Sequence, residues 1–123
     1  MSKQNSGFSL LEIMIVVAII GLLLAIAIPR FINARARSSQ KTCINNLRQI
    51  DGAIQQWALE SKSPSSAVVT HTNVLPYLKS SPVCPSAGGS FSTDYGMTFV
   101  KDAPFCVTNA NATSYPHSLS AAN

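Results

Sequence analysis

Charged residues are scarce in this sequence, and their scarcity limits the kinds of protein it can encode. They make up 11% of the 123 residues, whereas a typical soluble domain has roughly 25%. An apolar run at residues 7–29 and a second half rich in Ser, Thr and Asn account for the deficit. About 80 residues remain for a globular head, a size at which a hydrophobic core alone is marginally stable.

Recognisable catalytic arrangements are also missing. Serine and threonine are abundant, but no serine has a histidine and an aspartate in a known nucleophilic motif. No glycine-rich phosphate loop is present. His71 and His117 stand alone in polar surroundings, which predicts surface residues rather than metal ligands. The sequence therefore predicts a protein that is not an enzyme.

Closely spaced cysteines and clustered acids, the usual signs of metal sites, are lacking as well. Cys43, Cys84 and Cys106 contain no C-x-x-C pair, and their odd number allows one disulfide and one thiol. Asp94 and Asp102 are the only acids late in the chain, so a calcium site would depend on backbone carbonyls. The sequence predicts no metal and no cofactor, with calcium as the weaker alternative.

The apolar run contains one charged residue, Glu12. Residues 8–28 would form a helix roughly 31 Å long, close to the thickness of a bilayer's hydrocarbon core. The small residues of Ala25-Ile26-Ala27 satisfy the pattern of an ordinary signal-peptide cleavage site. However, the length of the run and the early acid favour a retained transmembrane helix, and an acid within such a helix usually marks function.

A short polar leader ends at Gly7, and Phe8 and Glu12 follow at the first and fifth positions of the apolar helix. Together with Gly21 and Pro29, this pattern resembles the class III signal of the type IV pilin-like family, which includes type IV pilins and type II secretion pseudopilins. The resemblance covers roughly the first 60 residues. It implies that a prepilin peptidase cleaves between Gly7 and Phe8 and methylates the new amine, giving N-methylphenylalanine.

The resemblance also implies a partner for Glu12, the N-terminal ammonium of Phe8 in a neighbouring subunit. A buried pair of opposite charges would fix the register between subunits. The alternative is a carboxylate that reaches the membrane surface without a partner. Gly21 and Pro29 weaken a helix, so we expect a kink or local unwinding between them. Our hypothesis is that residues 21–29 unwind when subunits enter a filament.

After Pro29 the sequence becomes amphipathic. An apolar stripe with steps of three and four residues predicts a helix that continues to about Glu60, before the stop signal at 61–64. The stripe consists of Cys43, Leu47, Ile50, Ile54 and Trp57, widened by Ile44, Ala53 and Ala58. Five basic residues lie on this part of the chain, and we interpret them as a membrane-flanking, solvated surface rather than a nucleic-acid site. They are Arg30, Arg35, Arg37, Lys41 and Arg48.

The predicted fold class is α+β, a long helix packed against a small antiparallel sheet, which is the pilin fold. We expect a short helix at 74–79 and strands at 90–93, 97–100 and 105–108, with Phe91, Phe99 and Phe105 facing inward. The predicted segments are a leader (1–7), a transmembrane assembly helix (8–28), an amphipathic spine (29–61), a head (62–108) and a flexible tail (109–123).

Cys84 precedes the first predicted strand and Cys106 lies in the last. A disulfide between them would stabilise the head by about 3 kcal/mol. The alternative pair is Cys43 with Cys84.

The predicted function is a structural subunit of a type IV pilus-like filament or a type II secretion pseudopilus. Its expected partners are further copies of the chain, membrane lipid, the prepilin peptidase and inner-membrane assembly machinery. One alternative is a competence pilin that holds DNA through the basic residues, and another is a membrane-anchored binding head that never polymerises. The count of flanking basic residues would place the head in the cytoplasm. The expected disulfide and the resemblance place it in the periplasm, on a single-pass inner-membrane anchor.

Overall fold

The structure is a computed structural model that describes residues 7–108 and 113–122. The chain divides into two compact units, residues 1–35 and 36–123. Its dominant element is helix α1, Leu10–Glu60, which has 51 residues and confirms the predicted long helix. The helix begins two residues later than predicted, because the carbonyl of Ser9 accepts the first bonds, from the N–H groups of Glu12 and Ile13 (3.0 and 3.3 Å).

Helix α1 ends where the sequence predicts its stop. Lys62 has a φ of 49°, in the left-handed region that terminates many helices. The N–H of Ser63 then reaches back to the carbonyl of Ala58 at 3.0 Å, so one of the last carbonyls of the helix is satisfied. Ser61 adds a bond from its hydroxyl to the carbonyl of Trp57 at 2.6 Å.

The predicted apolar stripe forms the centre of the head. Cys43, Leu47, Ile50 and Ile54 are all buried, and Trp57 is half-buried against them. The three residues expected to widen the stripe are buried too: Ile44, Ala53 and Ala58. Side chains from the rest of the head cover this face, so the amphipathic half of α1 is the spine of the head, as its periodicity predicts.

The remaining elements of the head are short. Helix α2 spans His71–Val74 and continues as a 3-10 turn at Leu75–Tyr77. Helix α3 spans Phe91–Asp94 and leads into strand β1, Tyr95–Gly96. Strand β2, Phe105–Cys106, pairs antiparallel with β1, so that Tyr95 faces Cys106 and Gly96 faces Phe105.

The α+β fold class is confirmed, but two of the three predicted strands differ from the structure. The segment predicted as the first strand is helix α3, because Ser90 and Thr93 form a reciprocal capping box at its start. The second predicted strand is reduced to an isolated bridge between Val68 and Phe99. Phe91 is buried as predicted, whereas Phe99 and Phe105 are 39% and 42% exposed, which corrects their predicted inward orientation.

Part of the predicted flexible tail packs on the head. The side-chain amide of Gln40 donates to the carbonyl of Pro116 at 2.8 Å. His117 is buried, and Leu119, in a 3-10 turn at Leu119–Ala122, packs against the core. Residues 109–112 lie outside the described residues.

Replacing Gly52 by alanine is expected to stabilise the head by about 0.5–1 kcal/mol, because Gly52 is an exposed residue in the interior of helix α1. A Cβ atom there would meet no atom within 4 Å. Urea unfolding of the full chain in detergent, followed by the fluorescence of Trp57, measures the change. The matched control is Gly88→Ala, which should destabilise, since Gly88 has a φ of 66°, in the left-handed region that alanine rarely adopts. Equal effects from the two variants would contradict the prediction.

Candidate functional site

The first half of α1 is an apolar surface that the described residues of this chain leave uncovered. Every residue from 7 to 35 is exposed, including large side chains such as Leu10, Met14 and Leu22. By length and composition, α1 contains a stretch that could cross a membrane. A surface of this composition is stable only against lipid or against other apolar helices.

Glu12 is the only charged side chain of residues 8–28, the part of this surface that precedes Arg30 and Arg35. It lies in the first turn of α1 and is exposed. A carboxylate at this end of a helix is favoured by the partial positive charge of the free backbone N–H groups. Gly7 and Phe8 lie just before the helix and are also exposed. The predicted processing site and the predicted assembly residue are therefore close in the chain, and the carboxylate is accessible to another molecule.

The chain remains helical through the predicted point of weakness. Gly21 and Pro29 both lie within α1, and the helical assignment continues without a break from one to the other. A Cβ atom at Gly21 would meet no atom within 4 Å. Residues 21–29 therefore show no local unwinding in this single chain. The hypothesis that they unwind when subunits enter a filament stays a prediction.

The five basic residues after Pro29 all lie on helix α1, and one of them contacts an aromatic side chain. All five are exposed. The Nε–H of Arg37 donates to the hydroxyl of Tyr115 at 3.4 Å, and its guanidinium lies 5.8 Å from the centre of that ring.

The head brings the two predicted disulfide partners together. The Sγ atoms of Cys84 and Cys106 are 3.8 Å apart, which is the separation of interacting thiols and not of a covalent bond. The predicted disulfide stays a prediction. Cys43, from the alternative pair, is buried beside them, and its sulfur accepts a hydrogen bond from the hydroxyl of Tyr95 at 3.5 Å.

A fourth side chain of the same cluster was missed by the sequence analysis. His117 is not a surface residue as predicted; it is 3% exposed, and its Nδ1 lies 3.6 Å from the Sγ of Cys84. No familiar close spacing connects His117 to a cysteine, since Cys106 lies 11 residues away along the chain and Cys84 lies 33 residues away. The odd number of cysteines was the one sign in the sequence that a thiol such as Cys43 would lie outside a disulfide and would need another kind of partner.

Burial governs the acid–base properties of this cluster. It raises the pKa of the Cys43 thiol well above its ordinary value, despite the hydrogen bond from Tyr95. Burial likewise raises the pKa of the Tyr95 hydroxyl, so both groups keep their protons at neutral pH in the absence of a cation. The pKa of His117 is lowered by desolvation, which keeps the imidazole neutral.

The two late acids have separate roles in the head. The carboxylate of Asp94 is buried and accepts the backbone N–H of Cys84 at 3.0 Å. The carboxylate of Asp102 is exposed and accepts the hydroxyl of Thr98 at 3.0 Å. Among the described residues, neither belongs to a group of three or more side chains that could hold a metal ion.

Comparisons with known proteins point to one family. The family model described as the prokaryotic N-terminal methylation motif matches residues 2–28. The chain is 57% identical over 49 residues to the type IV major pilin protein PilA of Myxococcus xanthus, covering 40% of this chain and 22% of the relative. It is 40% identical over 77 residues to the type IV major fimbrial protein FimA of Dichelobacter nodosus, covering 61% of this chain and 49% of the relative.

A third relative comes from a secretion system. The type II secretion system core protein G of Klebsiella pneumoniae is 26% identical over 86 residues, covering 65% of this chain and 61% of the relative. The chain thus spans between about a fifth and three fifths of the length of these relatives. No solved structure gives a significant match. In its N-terminal methylation motif, its relatives and its long apolar helix with a small antiparallel sheet, the chain is similar to the type IV pilin-like family.

Proposed function

We propose that this protein is a structural subunit of a type IV pilus-like filament or of a type II secretion pseudopilus. The observation that carries the proposal is the uncovered apolar half of α1, which has a single acid in its first turn. A simple membrane anchor needs the apolar surface but has no use for that acid. The relatives named as pilins and as a secretion-system core protein support the same function.

In the proposed filament, the apolar half-helices of many copies pack side by side and exclude water and lipid from their shared surface. Inside such a bundle an unpaired carboxylate costs a few kcal/mol. Cleavage after Gly7 would create an ammonium at Phe8 that can meet Glu12 of a neighbouring copy. A charge pair in low-dielectric surroundings tolerates little displacement, so it selects one register between neighbouring helices.

The proposed route begins in the inner membrane, with α1 as a single span and the head in the periplasm. A prepilin peptidase would process the chain, and assembly machinery would extract it from the bilayer. The close approach of Cys84 and Cys106 is compatible with an oxidising compartment, but it does not by itself fix the orientation. The basic residues after Pro29 would then lie beside the outer headgroups, and in the filament they would lie partly between subunits, where they are less free to bind DNA.

Two measurements on the native protein test the proposal. Immunogold electron microscopy of cells that express a tagged chain should label filaments or a periplasmic pseudopilus. Intact mass and N-terminal sequencing of the same protein should show a mature chain that begins with a methylated Phe8. A chain that stays in the membrane as an unprocessed monomer would overturn the proposal in favour of an anchored head.

Assembly is also expected to unwind part of α1. In a filament map, residues 21–29 should lose several helical hydrogen bonds that the single chain has, because Gly21 and Pro29 make this stretch the weakest in the helix. Gly21→Ala should preserve more of the helix in the filament and slow extraction from the bilayer. An uninterrupted helix in the filament map would contradict the hypothesis.

A further inference from the structure

Four side chains with metal-binding atoms meet in the centre of the head. Cys43 comes from α1, Cys84 from the loop before α3, Cys106 from β2 and His117 from the C-terminal segment. All four are buried. Their three sulfurs and one ring nitrogen all lie within 4.8 Å of one another. We propose that these four side chains bind a zinc ion in a closed, structural Cys3His site.

The spacing of the donor atoms fits a tetrahedral ion. With zinc–sulfur bonds of about 2.3 Å, two sulfurs at the corners of a tetrahedron are about 3.8 Å apart. With a zinc–nitrogen bond of about 2.0–2.1 Å, a sulfur and a nitrogen are about 3.6 Å apart. The Sγ atoms of Cys84 and Cys106 are separated by 3.8 Å, and the Sγ of Cys84 and the Nδ1 of His117 by 3.6 Å. Small side-chain movements would bring the longest separation, 4.8 Å, to the same value.

The chemistry of the donors selects zinc and a structural role. Three thiolates and an imidazole are a common ligand set of structural zinc sites, and thiolates discriminate against calcium and magnesium. On binding, each thiol releases its proton to solvent and the neutral imidazole donates its Nδ1 lone pair, so no oxidant or reductant is consumed. Because the chain itself supplies four ligands and all are buried, the ion has no position left for a substrate.

Neighbouring polar groups hold the ligands in place. The hydroxyl of Tyr95 donates to the sulfur of Cys43 at 3.5 Å and in turn accepts the side-chain amide of Asn46 at 3.0 Å. The carboxylate of Asp94 accepts the backbone N–H of Cys84 at 3.0 Å, which orients the loop that carries this cysteine. Outer hydrogen bonds of this kind fix ligand geometry in known metal sites, and their loss typically weakens binding by about 10–100-fold.

A zinc ion at this site would cross-link and stabilise the head, the role that the sequence analysis predicted for a disulfide. It would join α1, the loop before α3, strand β2 and the C-terminal segment at one point. A head of this size has a small core, and small domains commonly use a metal or disulfides for stability. The two solutions exclude each other, because a bond between Cys84 and Cys106 would remove two of the four ligands. The zinc site also uses Cys43 and His117, which would take no part in a disulfide between Cys84 and Cys106.

The first test is the metal content of the full chain, isolated from membranes in detergent without added reductant or chelator. We expect about one zinc ion per chain by mass spectrometry of the metal. After zinc is replaced by cobalt(II), the protein should show sulfur-to-cobalt charge-transfer absorption together with the visible bands of tetrahedral cobalt. Both readouts are obtained on the unmodified sequence, so they do not depend on whether a variant folds.

Variants then identify the ligands. Cys43→Ser and His117→Gln should each lower zinc retention against a competing chelator by more than about tenfold. The matched control is His71→Gln: His71 is half-buried in the same head and contacts the carbonyl of Tyr95, but it lies outside the cluster. This variant should retain zinc as the unmodified chain does. Tyr95→Phe, which removes the hydrogen bond to Cys43, should weaken zinc binding by about tenfold.

Several results would overturn the zinc site. One is a metal-free chain with Cys84 joined to Cys106 in non-reducing peptide mapping. Others are copper or iron in place of zinc, or unchanged zinc retention in both Cys43→Ser and His117→Gln. The site does not depend on the proposed filament function, since metal content is measured on the isolated chain whether or not it polymerises.

Discussion

Replacing Glu12 by alanine is expected to abolish filament assembly while the chain still inserts into the membrane. The variant removes the only charged side chain of residues 8–28 and leaves the rest of that apolar segment unchanged. In the filament it would leave the Phe8 ammonium of the neighbouring copy without a counter-charge in low-dielectric surroundings. At about 3 kcal/mol for each contact, the association constant would fall by about a hundredfold, and the loss recurs at every subunit.

Electron microscopy of sheared or periplasmic filaments measures the outcome, and membrane fractionation confirms insertion. Glu12→Gln should fail like the alanine variant, because it keeps the shape of the side chain but not the charge. Ser9→Ala is a suitable control, since it alters a neighbouring exposed polar side chain and leaves the backbone carbonyl that starts α1 in place. Normal filaments from both Glu12 variants would refute the charge pair and would favour an anchored head that does not polymerise.

Replacing Leu47 by alanine is expected to destabilise the head by about 2–5 kcal/mol. Leu47 lies on the buried stripe of α1 and has no exposed surface. The substitution would leave a cavity between the helix and the short elements packed on it, in a head whose total stability is expected to be small. Many chains should therefore be partly unfolded and sensitive to protease.

The matched control for Leu47 is Leu59→Ala in the same helix. Leu59 is 79% exposed, so the same change of side chain should alter stability by no more than about 0.5 kcal/mol. Trp57 is the only tryptophan of the chain and lies half-buried against the core, so its fluorescence reports unfolding of both variants in urea. Similar midpoints for the two variants would show that the stripe does not hold the head together.

The two proposals give the two parts of the chain different physical roles. In the proposed filament, the apolar half of α1 would make the contacts between copies, and Glu12 would set their register. The head carries a cluster of ligands that would stabilise each copy on its own. Loss of zinc should lower the stability of a subunit and leave the proposed contact of Glu12 intact. The stability of the membrane-extracted monomer should therefore fall in the zinc-ligand variants and stay unchanged in the Glu12 variants.

Local patterns were sufficient for the features that lie along one helix. A stripe with a period close to that of a helix predicted α1 to Glu60 and the burial of Leu47, Ile50 and Ile54. The helix stop signal at residues 61–64 also predicted correctly where α1 ends. These predictions succeeded because each depends on residues three or four positions apart, whose neighbours in space are fixed by the helix itself.

The short strands could not be predicted in the same way. Residues 90–93 contain an aromatic and a threonine, which favour a strand, yet the reciprocal bonds of Ser90 and Thr93 start helix α3 instead. With only two residues in each strand, pairing depends on what packs behind the sheet. Strand propensity is strongly context-dependent for this reason.

The sequence by itself determined the membrane-length helix, the processing motif, the acid at its fifth position and the spine of the head. Only the tertiary structure decided that His117 is buried and that Cys43, Cys84 and Cys106 surround it. Four segments far apart in the chain must pack together before their donor atoms come within 4.8 Å of one another. No periodicity or local spacing in the sequence predicts these contacts, because they are set by the long-range packing of the head and not by the geometry of any one element.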